Sequence, residues 1–239
     1  MEDWQTRTRL LLGDDAVGLL IGKHVLVAGL GGVGAYAAEM LCRAGVGRFT
    51  IVDADEVKPS NINRQLIATH TTIGQKKCEL MRQRLLDINP DCQVEALDWF
   101  IEESNLETLF ANRQVDFVVD AIDSIAPKTA LICHCMQRHI PIVSSMGAGG
   151  RVDPSQITVT DISKTHECAL ARTIRTRLKK AGIYKGLPVV FSTEPVNRES
   201  IVRIDDERNK CSTLGTVSYL PALFGCHLAA YTLKQITAL

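Results

Sequence analysis

Two kinds of stretch alternate from Lys23 to about Val143: short, nearly unbroken apolar runs, and longer stretches in which apolar residues recur every three or four positions. The short runs are KHVLVAG, RFTIVDAD, VDFVVDAID and IPIVSS, and between them lie VGAYAAEMLCRAG, GQKKCELMRQRLLDIN and KTALICHCMQRH. Apolar runs of strand length predict strands covered on both faces, and the recurring pattern predicts amphipathic helices. Their alternation predicts an α/β fold, a doubly wound, Rossmann-like and mostly parallel sheet.

The rhythm breaks after MGAGGRVDP. QITVTDI reads as a strand, SKTHECALARTIRTRLKKAGI as a basic helix and LPVVFSTEPV as another strand. GTVSYLPALFGCHLAAYTLKQI, apolar on most faces, reads as a buried terminal helix kinked at Pro221. One domain is expected, with a nucleotide-binding core over about 1–150 and a C-terminal α/β elaboration for substrate over about 151–239.

Composition narrows the partners little. The 239 residues carry 27 basic and 27 acidic side chains, so an argument for a polyanionic partner must be local. The eight cysteines lack paired CxxC spacing, which predicts reduced thiols in cytoplasm and no structural zinc. No stretch approaches eighteen uninterrupted apolar residues and the N-terminus has no apolar signal region, so a soluble, unsecreted protein without a membrane span is expected.

GLGGVG, residues 29–34, follows a predicted strand and opens a predicted helix. In that setting Gly29, Gly31 and Gly34 supply a tight turn, close approach of backbone to phosphate and close packing of helix on strand. Asp53 ends the next strand at the distance expected of a carboxylate that holds a ribose hydroxyl. The competing reading of Asp53 is a strand-end turn.

A dehydrogenase needs little more, yet the chain continues DADEVKPSNINRQL, where Asn61, Asn63, Arg64 and Gln65 cluster. Arginine there can hold a triphosphate through paired hydrogen bonds. Lys77, in GQKK, is either a second cation for the same phosphates or a solvated lysine at a helix start. The apolar strand DFVVDAIDS ends in Asp120 and Asp123 at the edge where open α/β sheets bind ligands. Asp123 is the candidate Mg²⁺ ligand; Asp120 either stabilises its loop or touches ligand.

GLGGVG, DAD, NINRQ, GQKK and DAID, in this order and spacing, resemble the HesA/MoeB/ThiF family of ATP-dependent adenylating enzymes, fold relatives of ubiquitin-activating enzymes. The resemblance implies ATP with Mg²⁺ in place of NAD, and attack of a substrate carboxylate on the α-phosphate. It implies a nucleotide site of Gly29, Gly31, Gly32, Gly34, Asp53, Asp55, Asn61, Asn63, Arg64, Gln65 and Lys77. Within it Arg64 acts as an arginine finger, Lys77 stabilises charge near the α-phosphate and Asp123 binds Mg²⁺. RTRLLLG is similar to a family segment whose arginine, here Arg7 or else Arg9, reaches the ATP of a second subunit, which implies a homodimer.

The segments from QITVTD to RTRLKK, together with VVFSTEPV, SSMGAGGRVDPSQI and NKCSTLGTVSYLPALFG, are similar to the subgroup that acts on tRNA, the tRNA threonylcarbamoyladenosine dehydratases. That likeness implies ATP-dependent cyclisation of N6-threonylcarbamoyladenosine at position 37 to a hydantoin through an acyl-adenylate. Arg172, Arg175, Arg177, Lys179 and Lys180 form a local basic segment suited to tRNA phosphates, against the plainer reading of a solvated helix face. Cys211, in RNKCSTLG, is a candidate reactive thiol. The alternatives are an adenylating activator of a ubiquitin-like sulfur-carrier protein with sulfur-relay partners, an NAD-dependent oxidoreductase, and a non-catalytic ATP-binding module.

Overall fold

A computed structural model describes residues 4–207 and 210–238, with side chains described outside 202–213. Seven strands form one sheet in the order β3-β2-β1-β4-β5-β7-β6. β1 (His24–Ala28), β2 (Arg48–Val52), β3 (Gln93–Leu97), β4 (Phe117–Asp120), β5 (Ile142–Ser145) and β7 (Pro188–Ser192) run parallel, and β6 (Ile157–Asp161) pairs antiparallel with β7. The chain reverses direction across the sheet between β1 and β4, which opens a crevice at the carboxyl ends of those strands.

Both faces are covered because successive strand residues point to opposite sides. In β1, Val25 and Val27 join a core with the helices α3 (Gly34–Ala44), α4 (Lys77–Ile88) and α8 (Tyr219–Thr237). Leu26 and Ala28 join a second core with α5 (Leu106–Phe110), α6 (Ile125–Gln137) and α7 (Ala169–Lys180). Each fully buried aliphatic side chain of this kind contributes about 1.5–3 kcal/mol. Strands apolar on both faces are the physical content of the unbroken runs in the sequence. The segment after residue 150 adds two strands to the same sheet, and α8 returns to pack along α3.

Several local expectations change. Pro221 stands in the first turn of α8, where its missing N–H costs no intrahelical bond, so it starts the helix and does not kink it. The basic helix begins at Ala169; before it, Ile162–Lys164 form a 3-10 turn capped by Asp161. Edge strand β3 and the antiparallel hairpin of β8 (Ile201–Glu207) and β9 (Lys210–Leu214) are absent from the predicted elements. β3 is half-exposed and polar, so it lacks the apolar run that marks its neighbours. At the N-terminus, α1 (Thr6–Leu12) buries none of its residues and α2 (Asp14–Ile21) buries Val17 and Leu20.

Gly225, unremarked in the sequence, decides how α8 docks. A Cβ there would stand 2.4 Å from Val33 O, so only glycine lets α8 lie this close to the start of α3. Among the described residues no helix is long and apolar enough to cross a membrane.

Candidate nucleotide and carboxylate site

The turn from β1 into α3 is built as its glycines require. Gly29 has φ +87°, and a Cβ would lie 2.9 Å from Ala121 O. On Gly34 a Cβ would lie 1.8 Å from Gly29 O, so no side chain fits. No side chain caps the start of α3, and the N–H groups of Gly31, Gly32 and Val33 carry no partner among the described residues. Uncapped amides at a helix start are a site for phosphate.

Asp53 braces this turn from the end of β2. Its carboxylate accepts from Leu30 N at 2.6 Å and Asp55 N at 2.8 Å, leaving lone pairs for a hydroxyl. Burial pushes the Asp53 carboxyl above the usual range, opposed by the Lys77 charge and by those two N–H donors. Lys77 is not the solvated lysine of the plain reading. It is 3% exposed, and its Nζ meets Asp55 Oδ2 at 2.7 Å. The buried ammonium thus has one exposed anion as partner, in the geometry of a cation that can be shared with a ligand's phosphates.

The NINRQ loop divides its roles. Asn61 is buried, and its Oδ1 accepts from Lys58 N, so its side chain braces the loop. Asn63 donates to Thr216 O and accepts from Arg64 Nη1, and Arg64 also reaches Ser60 O. A Cβ on Gly32 would lie 3.3 Å from Arg64 Cγ, which places Arg64 over the glycine turn. Gln65 Oε1 is buried without a partner, next to Gly31. An orphaned buried acceptor at this point suits a ligand donor.

Asp120 does not reach for ligand. It is fully buried, bonded to Lys128 Nζ at 2.7 Å, Ser144 Oγ at 2.6 Å and Ile122 N at 3.1 Å. Lys128 also binds Ile122 O, so the pair fixes the loop that presents the exposed Asp123. Sequence reasoning missed Lys128, whose spacing of eight from Asp120 has no special meaning until strand and helix meet. Asp123 is a single exposed carboxylate, a hard oxygen of the kind Mg²⁺ takes alongside phosphates, and among the described residues no three His, Cys, Asp or Glu side chains gather into a metal cluster.

The structure does not bring every candidate here. Arg7 is exposed on α1, and Arg9 is bonded to Asp14 and Gln5. Arg172, Arg177, Lys179 and Lys180 project outward from α7. Arg175 differs from them: it is half-buried, and its Nη1 donates to both Thr165 O and Thr165 Oγ1, fixing the loop before the helix. The side chain of Cys211 lies outside the described residues. Cys133 and Cys135 are unbridged thiols, and the neighbouring His134 is buried against Phe110.

Residues 6–239 match the profile of the ThiF family. The chain belongs to the ThiF family. This ThiF-family chain is 46% identical over 189 residues to the tRNA threonylcarbamoyladenosine dehydratase of Bacillus subtilis, covering 79% of this chain and 74% of that protein. It is 37% identical over 255 residues to the enzyme of that name in Escherichia coli, covering 98% and 95%. The crystal structure of E. coli tRNA N6-threonylcarbamoyladenosine dehydratase in complex with ATP superposes with a TM-score of 0.88 at 36% identity, over 100% of this chain and 96% of the other.

Proposed function

We propose that this ThiF-family protein is an ATP-dependent tRNA threonylcarbamoyladenosine dehydratase that closes the threonyl side chain of N6-threonylcarbamoyladenosine at position 37 into its hydantoin. One observation carries the reading: a glycine turn with unpartnered amides, flanked by Asp53, Arg64 and buried Lys77, in a fold matched along its whole length by an ATP-bound dehydratase.

A substrate carboxylate is already ionised at neutral pH, so no general base is needed for the first step. One carboxylate oxygen bonds to the α-phosphorus of ATP and pyrophosphate leaves. Arg64, Lys77 and the amides at the start of α3 face the charge that spreads over the phosphates. The carbamoyl nitrogen then attacks the acyl carbon, the bond to AMP breaks, and the nitrogen's proton passes to water. One carboxylate oxygen leaves with AMP, so the nucleoside loses the elements of one water. Asp53 would hold the ribose. Mg²⁺, held by Asp123 and the phosphates, would supply charge neutralisation there.

The basic face of α7 supports an RNA substrate. Arg172, Arg177, Lys179 and Lys180 are exposed on a helix without a single acidic residue, and its first turn adjoins the loop after β5, where Gly147 lies against Cys168. A homodimer is part of the proposal. Leu10 and Leu11 are 82% and 83% exposed on the helix that carries Arg7, an apolar pair that a second subunit would cover. The protein works in the cytoplasm, where its unbridged thiols stay reduced.

The test is incubation of the protein with ATP, Mg²⁺ and tRNA bearing N6-threonylcarbamoyladenosine, followed by digestion and mass spectrometry of the nucleosides. Loss of one water from the modified adenosine, with AMP formed in step, is expected. No mass change, with pyrophosphate exchange into ATP only when a diglycine-ended carrier protein is added, would overturn the tRNA reading in favour of protein activation.

A further inference from the structure

Arg151 is 3% exposed and forms no ion pair among the described residues. Its guanidinium instead gives one N–H to each of three backbone carbonyls: Gly147 O, Glu167 O, and Glu194 O at 2.8 Å. A buried guanidinium whose hydrogen bonds among the described residues all go to backbone carbonyls is unusual, since buried charges are normally paired directly. Its three partners lie on three separate segments: the loop leaving β5, the turn before α7 and the loop leaving β7.

Those contacts aim the loop leaving β5. The Gly147 carbonyl is turned toward the buried guanidinium, and in a trans peptide the N–H of Ala148 points the opposite way, away from Arg151. The N–H groups of Gly147, Ala148 and Gly149 carry no hydrogen-bond partner among the described residues, and all three residues are half-buried. The next residue, Gly150, is tied on both sides, to Gly215 O and Asn197 N.

This loop is also next to the nucleotide site. Ser144 of β5 is in register with Asp120 of β4, and Asp120 with Ala28 of β1, so the loops after the three strands follow one another along the carboxyl edge of the sheet. A Cβ on Gly149 would lie 3.4 Å from Thr216 Oγ1, and Thr216 O accepts from Asn63, the neighbour and partner of Arg64.

We infer that the amides of residues 147–149, held in place by Arg151, form the cradle for the substrate carboxylate. The inference rests on the dehydratase reading. One carboxylate oxygen sits on these donors while the other is free to attack the α-phosphorus. The same donors face the oxygen that gains charge when the carbamoyl nitrogen adds to the acyl carbon, and they release it as the carbonyl reforms and AMP departs. The buried guanidinium adds fixed positive charge behind the loop. Arg151 is therefore a positioning residue, and the amides are the groups that touch substrate.

The test compares two anticodon stem-loops, one bearing N6-threonylcarbamoyladenosine and one bearing its carboxamide, binding to the full chain with a non-hydrolysable ATP analogue, beside turnover of the acid. The wild type is expected to bind the acid at least about tenfold more tightly, a preference lost in Arg151→Gln and in Ala148→Pro, which deletes one of the N–H groups. Turnover falls about 10²-fold in both, with affinity for the ATP analogue unchanged. Equal binding of acid and carboxamide by a wild type that does cyclise would overturn the inference and leave the dehydratase reading standing. A folded Ala148→Pro with unchanged preference would do the same. A wild type that cyclises nothing would overturn both.

Discussion

Lys128 Nζ and Asp120 Oδ2 meet at 2.7 Å with neither side chain exposed to solvent. The pair joins the first turn of α6 to the end of β4, and the three residues between Asp120 and Ser124 hang from it. Because both charges are fully desolvated, the pair is worth little as net stability but much when one partner is removed. Lys128→Met leaves a buried carboxylate without its cation and should cost about 3–5 kcal/mol in urea unfolding. The double variant Asp120→Asn with Lys128→Met removes both charges and should recover more than half of that loss. Additive single effects would show that the two residues do not act as a unit.

Among the described residues Arg64 bonds to its own loop, at Ser60 O and Asn63 Oδ1, and it takes no part in either core. Arg64→Ala should leave the unfolding free energy within about 0.5 kcal/mol of wild type. Its kcat should fall about 10²- to 10³-fold, with a smaller change in KM for ATP, because the lost donor acts mainly on charge that develops in the transition state. Near-normal kcat in a single-turnover assay would remove Arg64 from that role.

Two glycines of the same turn should separate fold from binding. Gly34→Ala places a methyl 1.8 Å from Gly29 O, and about 1–3 kcal/mol of stability should be lost as the helix start shifts. Gly31→Ala meets nothing closer than Gln65 Nε2 at 3.7 Å, so its thermal midpoint should match wild type. Its ATP affinity should still fall, since the methyl occupies the approach of phosphate to backbone. Calorimetric titration with ATP, beside a thermal melt, distinguishes the two.

The Asp53 carboxyl titrates above the ordinary carboxylate range, chiefly through burial. A raised pKa means that the folded protein favours the neutral form, so Asp53 by itself lowers stability as pH rises through that window. Ribose hydroxyls donate to the ionised form, so ATP affinity should run the other way. It falls as pH drops through the raised pKa, beginning at a higher pH than an ordinary aspartate would give. Asp53→Asn should bind ATP more weakly at neutral pH and flatten the profile, and an unchanged profile in that variant would assign the titration elsewhere.

The alternation of unbroken apolar runs with amphipathic stretches carried the parallel sheet from β1 to β5, because strands buried on both faces admit little else. GLGGVG and Asp53 were legible for a similar reason: a tight turn into a helix and a carboxylate at the end of the next strand are set by local chain geometry. Edge strand β3 was not legible, since a half-exposed strand is held by its neighbour β2 and carries no apolar run of its own. Nor was the half-buried setting of Arg175, which looks in the sequence like any other cation of a basic helix.

The sequence by itself determined the central parallel strands, the helices between them and the glycine turn, which rest on local pattern, and the family, which rests on the order of short motifs along the chain. Only the tertiary structure decided which polar groups are desolvated and whom they face. Lys77 became a buried cation, Asp120 and Lys128 a sealed pair, and Arg151 a guanidinium bonded to one carbonyl of its own loop and two from other segments. Gly225 became the contact that lets α8 lie on α3. Periodicity reports which face of an element is apolar. It holds no record of which segments come together, and the dielectric and partners of a charged group depend on that approach.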